Sequence, residues 1–150
     1  MNLLIRPAQK ADAEVIGEYN RRLARETEHR ELEPAIVQAG VKAMLDDPFK
    51  GRYFVAEVDG QIVGQLGITC EWSDWRNGFF WWIQSVYVSA DSRRQGVFRQ
   101  LFDHVIESAR AEKNVIGVRL YVEADNDSAA QTYRRLGLEA TSYRLLEKCW

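Results

Sequence analysis

Along this chain the spacing of apolar residues switches between a period of two and a period near 3.6, the signatures of strand and helix. "NLLIR" is short and apolar and ends at Pro7, which predicts a first strand. Val15, Ile16, Tyr19 and Leu23 then share one face of a helix that Asp12 can cap. "TEHRELEP" interrupts that pattern. Pro34 suits a first helical turn, and Val37, Val41, Met44 and Leu45 form a second apolar stripe that "DDPFKG" stops.

"RYFVAEV", "DG" and "QIVGQLGIT" together make a hairpin signal. "NGFFWWIQSVYV" opens at a turn and is apolar on both faces, as in a central strand covered from both sides. From Val97 the period becomes helical, with Phe98, Leu101, Phe102, Val105, Ile106 and Ala109 on one face. "GVRLYVEA" alternates as a strand, with Val118, Leu120 and Val122 on one side. "DNDSAAQTYRRLG" reads as a capped short helix stopped by Gly137, and "TSYRLLEK" as a last strand. The predicted order is β-α-α-β-β-β-α-β-α-β, with room for one more short strand near Leu138. The fold class is α/β with a mixed sheet. The fourth strand, the long helix and the fifth strand form a βαβ unit, so those two strands should run parallel.

The length of 150 residues suits one domain, taken here as 1–150. A formal net charge of -2 gives no global basic excess, so nucleic acid is not an expected partner. No apolar run approaches the length of a membrane span, and the N-terminal residues lack a signal-peptide core, so a membrane is not an expected partner either. A cytoplasmic enzyme or binding module is the default. Cys70 and Cys149 are too few for a disulfide framework and read as separate reduced thiols. No metal-ligand spacing, Ser-His-Asp set or Cys-His pair is readable. His29 and His104 are isolated and read as surface or packing residues.

"VYVSADSRRQGVFRQLF", Val86 to Phe102, carries the most chemistry. A strand gives way to a helix through a turn holding Arg93, Arg94, Gln95 and Gly96, with Arg99 just inside the helix. A helix N-terminus offers unpaired N–H groups and the positive end of the helix dipole, and a bound phosphate answers both. Gly96 lets the chain bend and lets a ligand approach the backbone. The turn is not a Walker A loop, and it lacks the glycine triplet of a dinucleotide fingerprint.

The same stretch resembles motif A of the GCN5-related N-acetyltransferases, the GNAT superfamily, whose pattern is Gln/Arg-x-x-Gly-x-Gly/Ala between a strand and a helix. Arg93 and Gly96 match it, and Phe98 stands where a small residue is usual. "NDSAAQTYRRLGL" is similar to motif B through Asn126, Ala129, Tyr133, Gly137 and Leu138. "IRPAQKADAEVI" and "VDGQIVGQLGI" resemble the family's opening and its hairpin.

The resemblance implies a strongly twisted mixed sheet with helices on both faces and a splay between the fourth and fifth strands. It implies acetyl-CoA as co-substrate, no metal, and direct transfer of the acetyl group to an amine. Backbone groups of Val86, Tyr87 and Val88 would pair with the pantetheine arm. Amides from Arg94 through Gln95, Gly96, Val97 and Phe98 to Arg99 would hold the pyrophosphate, with the arginines Arg93, Arg94 and Arg99 assisting. Asn126 would contact the cofactor arm, and Tyr133 would protonate the leaving thiolate. Many members of the family dimerise, so a homodimer is expected.

Glu57, Glu71 and Asp74 are the acids nearest in sequence to the hairpin. Glu71 is taken as the base, with Asp74 as its electrostatic partner. A water chain and ordinary solvated acids are the alternatives. "EWSDWRNGFFWW" places Trp72 and Trp75 around Glu71 and Asp74, a combination suited to a cationic amine through cation–π and charge-assisted contacts. Because Trp81 and Trp82 are adjacent, they must face opposite ways if this stretch is a strand. The expected function is N-acetylation of a small amine or amino-acid-like acceptor. Acetylation of a protein lysine or N-terminus, and a non-catalytic acyl-CoA-binding module, are the competing readings.

Overall fold

The computed structural model describes residues 2–150, and the chain divides into two units, one running to Leu120 and the other Tyr121–Trp150. The first contains β1 (Leu3–Pro7), α1 (Ala13–Glu28), α2 (Pro34–Asp46), β2 (Arg52–Val58), β3 (Gln61–Ser73), β4 (Gly78–Val88), α3 (Val97–Ala111) and β5 (Val115–Leu120). Short 3-10 turns occupy Lys10–Asp12 and Ala90–Ser92. The strands form one five-stranded sheet in the order β1-β2-β3-β4-β5. Neighbours are antiparallel except β4 and β5, which run parallel across the βαβ crossover through α3.

Local chemistry accounts for the joints. Asp59 and Gly60, at φ 50° and 79°, make the two-residue β2–β3 turn whose left-handed residues match strand twist. Pro34 opens α2, and His29 ends α1 in a left-handed conformation. Asp12 stands at the N-cap position of α1 without a side-chain capping bond to it. Its carboxylate accepts from the Gln9 N–H at 2.7 Å and takes both terminal nitrogens of Arg6, at 2.8 and 3.1 Å. The Arg6 Nε reaches Glu57 at 2.8 Å. This network joins β1, β2 and the start of α1, and the Arg6 guanidinium holds the Asp12 carboxyl below the usual carboxylate range.

Each face of the sheet is covered. Ile16 of α1 and Val41 of α2 pack with Tyr53 and Val55 on one face. On the other, Leu101 and Val105 of α3 are fully buried, and His104 stands edge-on to Phe54 at 5.2 Å. Gly64 sits under α3, where an added Cβ would meet Val97 and Leu101 at 3.1 and 3.3 Å, so the helix lies close to the sheet there. Truncating Leu101 to alanine would cost about 2–5 kcal/mol, because a packed site of this kind cannot collapse fully.

The second unit holds α4 (Asp127–Arg135). Asn126 caps it by accepting from the Ala129 N–H at 3.1 Å. Gly137, at φ 96°, ends it in a Schellman motif, with Leu138 N–H bonded to the Tyr133 carbonyl and Gly137 N–H to that of Arg134.

Two strand expectations are corrected. "TSYRLLEK" forms no strand, and neither does the stretch near Leu138: residues 138–150 carry no regular structure. β5 ends at Leu120, before Tyr121 and Val122. Alternation alone does not make a strand, which needs a ladder partner, and within this unit α4 is the one regular element. Tyr143, Leu145, Leu146 and Trp150 remain exposed.

Candidate active site

Parallel pairing between β4 and β5 ends at Ile83 opposite Leu120, yet β4 continues to Val88. Among the described residues no strand pairs with the β5 side of β4 from Gln84 to Val88, so that edge is open. On its other side this stretch is still laddered to β3, with Tyr87 opposite Gln65 and Val88 opposite Gly64. Between these pairs and Gly67–Gln84 the register shifts, because β4 carries an extra residue. Ser85 lies in that bulge at φ 52°. A bulge of this kind bends the strand and re-aims its side chains.

The open edge runs into the turn that precedes α3. Arg94 and Gly96 are both left-handed, at φ 62° and 82°. The first bond of the helix is Gln100 N–H to the Gly96 carbonyl, so the amides of Val97 to Arg99 precede the ladder and face outward along the helix axis. A Cβ built on Gly96 would meet nothing nearer than the Gln100 amide at 3.9 Å. No other atom outside the adjoining residues lies within 4 Å of that position, so the open side of Gly96 leaves room for an anion to approach the backbone.

The side chains of the turn are not equivalent. Arg93 bonds the Glu26 carboxylate at 2.6 Å and the Val88 carbonyl at 2.9 Å, and its guanidinium lies 5.4 Å from the Tyr87 ring centroid. Tyr87 donates to the same Glu26 at 2.6 Å. Arg93 thus straps the turn to the last part of α1. The Tyr87 hydroxyl, and then Arg93, hold the Glu26 carboxyl below its usual range, while burial pushes the Tyr87 phenol up. Arg99 pairs with Asp103 one helical turn on at 2.8 Å, and Gln95 bonds the Asp91 carbonyl. Arg94 is exposed and has no ion-pair partner among the described residues.

A cavity of about 370 Å³ opens on the α1/α2 face of the sheet beside the bulge. Leu23, Leu32, Val37 and Val41 supply apolar walls, Asn20, Tyr53 and Ser85 a polar end, and Glu28 and Arg30 one charge of each sign. Behind it, Gln65 is fully buried, and its Nε2 donates to the Asn20 Oδ1 at 2.7 Å and to the Ser85 carbonyl at 3.1 Å. Sequence reasoning missed these residues. Two signals were available: a polar Asn20 beside the apolar stripe of Ile16, Tyr19 and Leu23, and a polar Gln65 between Gly64 and Gly67 in an apolar strand.

The tryptophan-rich segment lies elsewhere. Tyr53 of the cavity pairs with Gly67, and β3 runs on from there to Ser73, roughly 20 Å at about 3.3 Å per residue. Trp72, Asp74 and Trp75 stand at that far hairpin end, with Trp75 83% exposed and Trp72 edge-on to Phe79. Glu71, roughly 13 Å along the strand from Gly67, accepts from Arg119 at 2.9 Å and from the Trp82 indole at 3.2 Å. It ties β3, β4 and β5 together, and Arg119 stacks 3.6 Å from the Phe80 centroid beside it. Trp81 is buried under Arg52, facing away from Trp82 as their adjacency requires.

In the second unit, Asn126 spends its side-chain oxygen on the α4 cap. Tyr133 lies two turns further along that helix and is half-buried, and burial pushes its phenol above the ordinary tyrosine value. It therefore keeps its proton at neutral pH. Among the described residues no group of three histidine, cysteine, aspartate or glutamate side chains could hold a metal ion. None of the helices described is long and apolar enough to cross a membrane.

Comparison with known proteins bears on this geometry. Residues 15–138 match the model of the acetyltransferase (GNAT) family. The chain is 31% identical over 140 residues to the phosphinothricin N-acetyltransferase of Streptomyces viridochromogenes, covering 91% of this chain and 74% of that one. It is 34% identical over 88 residues to an uncharacterized N-acetyltransferase of Methanocaldococcus jannaschii, a match spanning 58% of this chain but only 38% of that longer protein. A crystal structure of a possible acetyltransferase from Clostridium difficile superposes with a TM-score of 0.95 at 42% identity, covering 100% of this chain and 99% of that one. The family match, these relatives and the splayed, bulged fourth strand agree: the chain belongs to the GNAT family of acetyltransferases.

Proposed function

We propose that the protein is an acetyl-CoA-dependent N-acetyltransferase whose acceptor is a small amine of amino-acid type. One observation carries the reading. The stretch of β4 that lacks a β5 partner contains Ser85, and Ser85 also lines the cavity. An open strand edge that can take an extended amide-bearing arm and a pocket that can take a small molecule thus meet at one residue.

The residues present fit the donor. The edge at Val86 to Val88 offers backbone groups for the pantetheine amides, and the clear space before Gly96 admits a pyrophosphate to the amides that precede α3. Bound there, acetyl-CoA supplies an acetyl group activated as a thioester. Arg94 adds charge, and Arg93 holds the turn in shape through Glu26. The cavity orients the amine, whose neutral form attacks the thioester carbonyl: the C–N bond forms, the C–S bond breaks, and the proton released from nitrogen passes to solvent water. The resemblance to the family's motif B assigns Tyr133 the role of proton donor to the departing sulfur, and its burial keeps the phenol protonated at neutral pH. The relative named a phosphinothricin N-acetyltransferase supports N-acetylation as the reaction. Glu71, committed to Arg119 and Trp82, is set aside as the base.

The test is release of free thiol from acetyl-CoA across a panel of amines, amino acids and lysine-containing peptides. Turnover with small amino compounds and none with peptides is the expected outcome. Tight acetyl-CoA binding with no turnover on any member would instead identify a binding module.

A further inference from the structure

The hydrogen bonds at the polar end of the cavity run in one direction, and a backbone atom sets it. The Ser85 carbonyl can only accept. Gln65 must therefore turn its Nε2 toward it, and the same nitrogen donates to the Asn20 Oδ1. The arrangement leaves the buried Gln65 Oε1 without a partner. Turning that amide over would set its oxygen against the Ser85 carbonyl, so the fixed acceptor decides the orientation. With its oxygen facing Gln65, Asn20 presents its Nδ2 to the Tyr53 hydroxyl, 3.2 Å away. Tyr53 thus accepts from Asn20, and its own proton has no acceptor in the hydrogen bonds of the described residues. Tyr53 is 6% exposed and lines the cavity.

The cavity therefore offers its occupant a donor, the Tyr53 O–H, reinforced by the second N–H of Asn20. A lone ammonium group needs acceptors and finds the wrong polarity here. A carboxylate finds the right one, and the lining also holds Arg30 and Glu28, an ion pair at 3.9 Å that brings one charge of each sign to the mouth of the cavity. We propose that Tyr53 and Asn20 form a carboxylate subsite, so that the substrate is an α-amino acid or close analogue rather than a simple amine or polyamine. This rests on the transferase reading above and narrows it to a class set by the Ser85–Gln65–Asn20–Tyr53 chain.

The experiment measures equilibrium binding, by calorimetry, of each proteinogenic L-amino acid and of the amine that lacks only its carboxylate. Thiol release with acetyl-CoA is followed in parallel. We expect at least one amino acid to bind, and to bind about tenfold or more tightly than its matched amine, the difference a charge-assisted hydrogen bond supplies. Tyr53→Phe removes the proton and keeps the ring, so the preference should disappear. Asn20→Asp keeps the shape but replaces the donor by an acceptor, which draws the Tyr53 proton out of the cavity, and it should abolish the preference with Tyr53 intact. Its melting temperature guards against misfolding. Equal binding of acids and amines, binding of no acid, or a preference that survives both substitutions overturns the subsite. Selective binding of an amino acid without thiol release leaves the subsite standing and overturns the transferase reading instead.

Discussion

Replacing Gly96 separates two reasons for a glycine at the turn before α3: its backbone conformation and the approach of an anion. At φ 82° and ψ 5° the residue is left-handed. A side chain there costs roughly 1–2 kcal/mol, of which reduced freedom in the unfolded chain returns roughly 0.4–1 kcal/mol. The Cβ itself meets only the Gln100 amide at 3.9 Å, so no clash adds to this. Gly96→Ala should therefore destabilise by roughly 0.5–1 kcal/mol, a fall in melting temperature of about 1–4 °C for a chain of this size. Binding should suffer more. A phosphate oxygen must come within about 2.8 Å of a backbone N–H, and a methyl group on the open side keeps it away. Losing one such charge-assisted bond costs roughly 1.5–3 kcal/mol, about 10- to 100-fold in Kd. Gly96→Asn is the sharper variant, since asparagine tolerates the left-handed region and should melt close to wild type. Titration calorimetry with acetyl-CoA and scanning calorimetry give both numbers. A Gly96→Asn protein that binds acetyl-CoA with wild-type affinity would refute the assignment of this turn to the pyrophosphate.

Tyr133→Phe should lower kcat by about a hundredfold with little change in acetyl-CoA affinity. Because burial raises the phenol, its acid form persists through neutrality and is lost only above pH about 10; an alkaline limb of kcat that survives in Tyr133→Phe would assign the tyrosine to packing. Glu26→Gln should raise the KM for acetyl-CoA a few-fold if Arg93 acts by strapping the turn to α1, whereas a lowered KM would show a guanidinium released to contact phosphate directly. Asp12→Asn should cost about 1–3 kcal/mol at pH 7 in urea unfolding. The Asp12 pKa is depressed in the fold by Arg6, so its contribution is present above the unfolded value of about 3.9 and lost as pH falls through the lower folded value. The gap between wild type and variant should close below about pH 4, and a gap of equal size at pH 3 would remove the ion pair as its source.

Local spacing alone determined most of the elements. The α3 stripe, the Asp59-Gly60 hairpin and the Gly137 stop were legible because each depends on residues within a turn or two of one another. The turn proposed to hold the cofactor was legible for the same reason: a helix N-terminus with a left-handed glycine is a local object, and the family patterns around Gly96 and Tyr133 are written in short stretches. The cavity proposed for the acceptor was not legible. Its polar end is assembled from α1, β2, β3 and β4, and its polarity depends on a carbonyl exposed by a bulge that no spacing rule announces. The partners of the charged side chains were equally hidden. Arg93 meets Glu26 across 67 residues of chain and Arg119 meets Glu71 across 48, and no local spacing announces either pair. The last strand failed in the opposite direction. Alternation in "TSYRLLEK" is a local property, but a strand exists only where a second edge accepts its hydrogen bonds, and that is decided by tertiary structure.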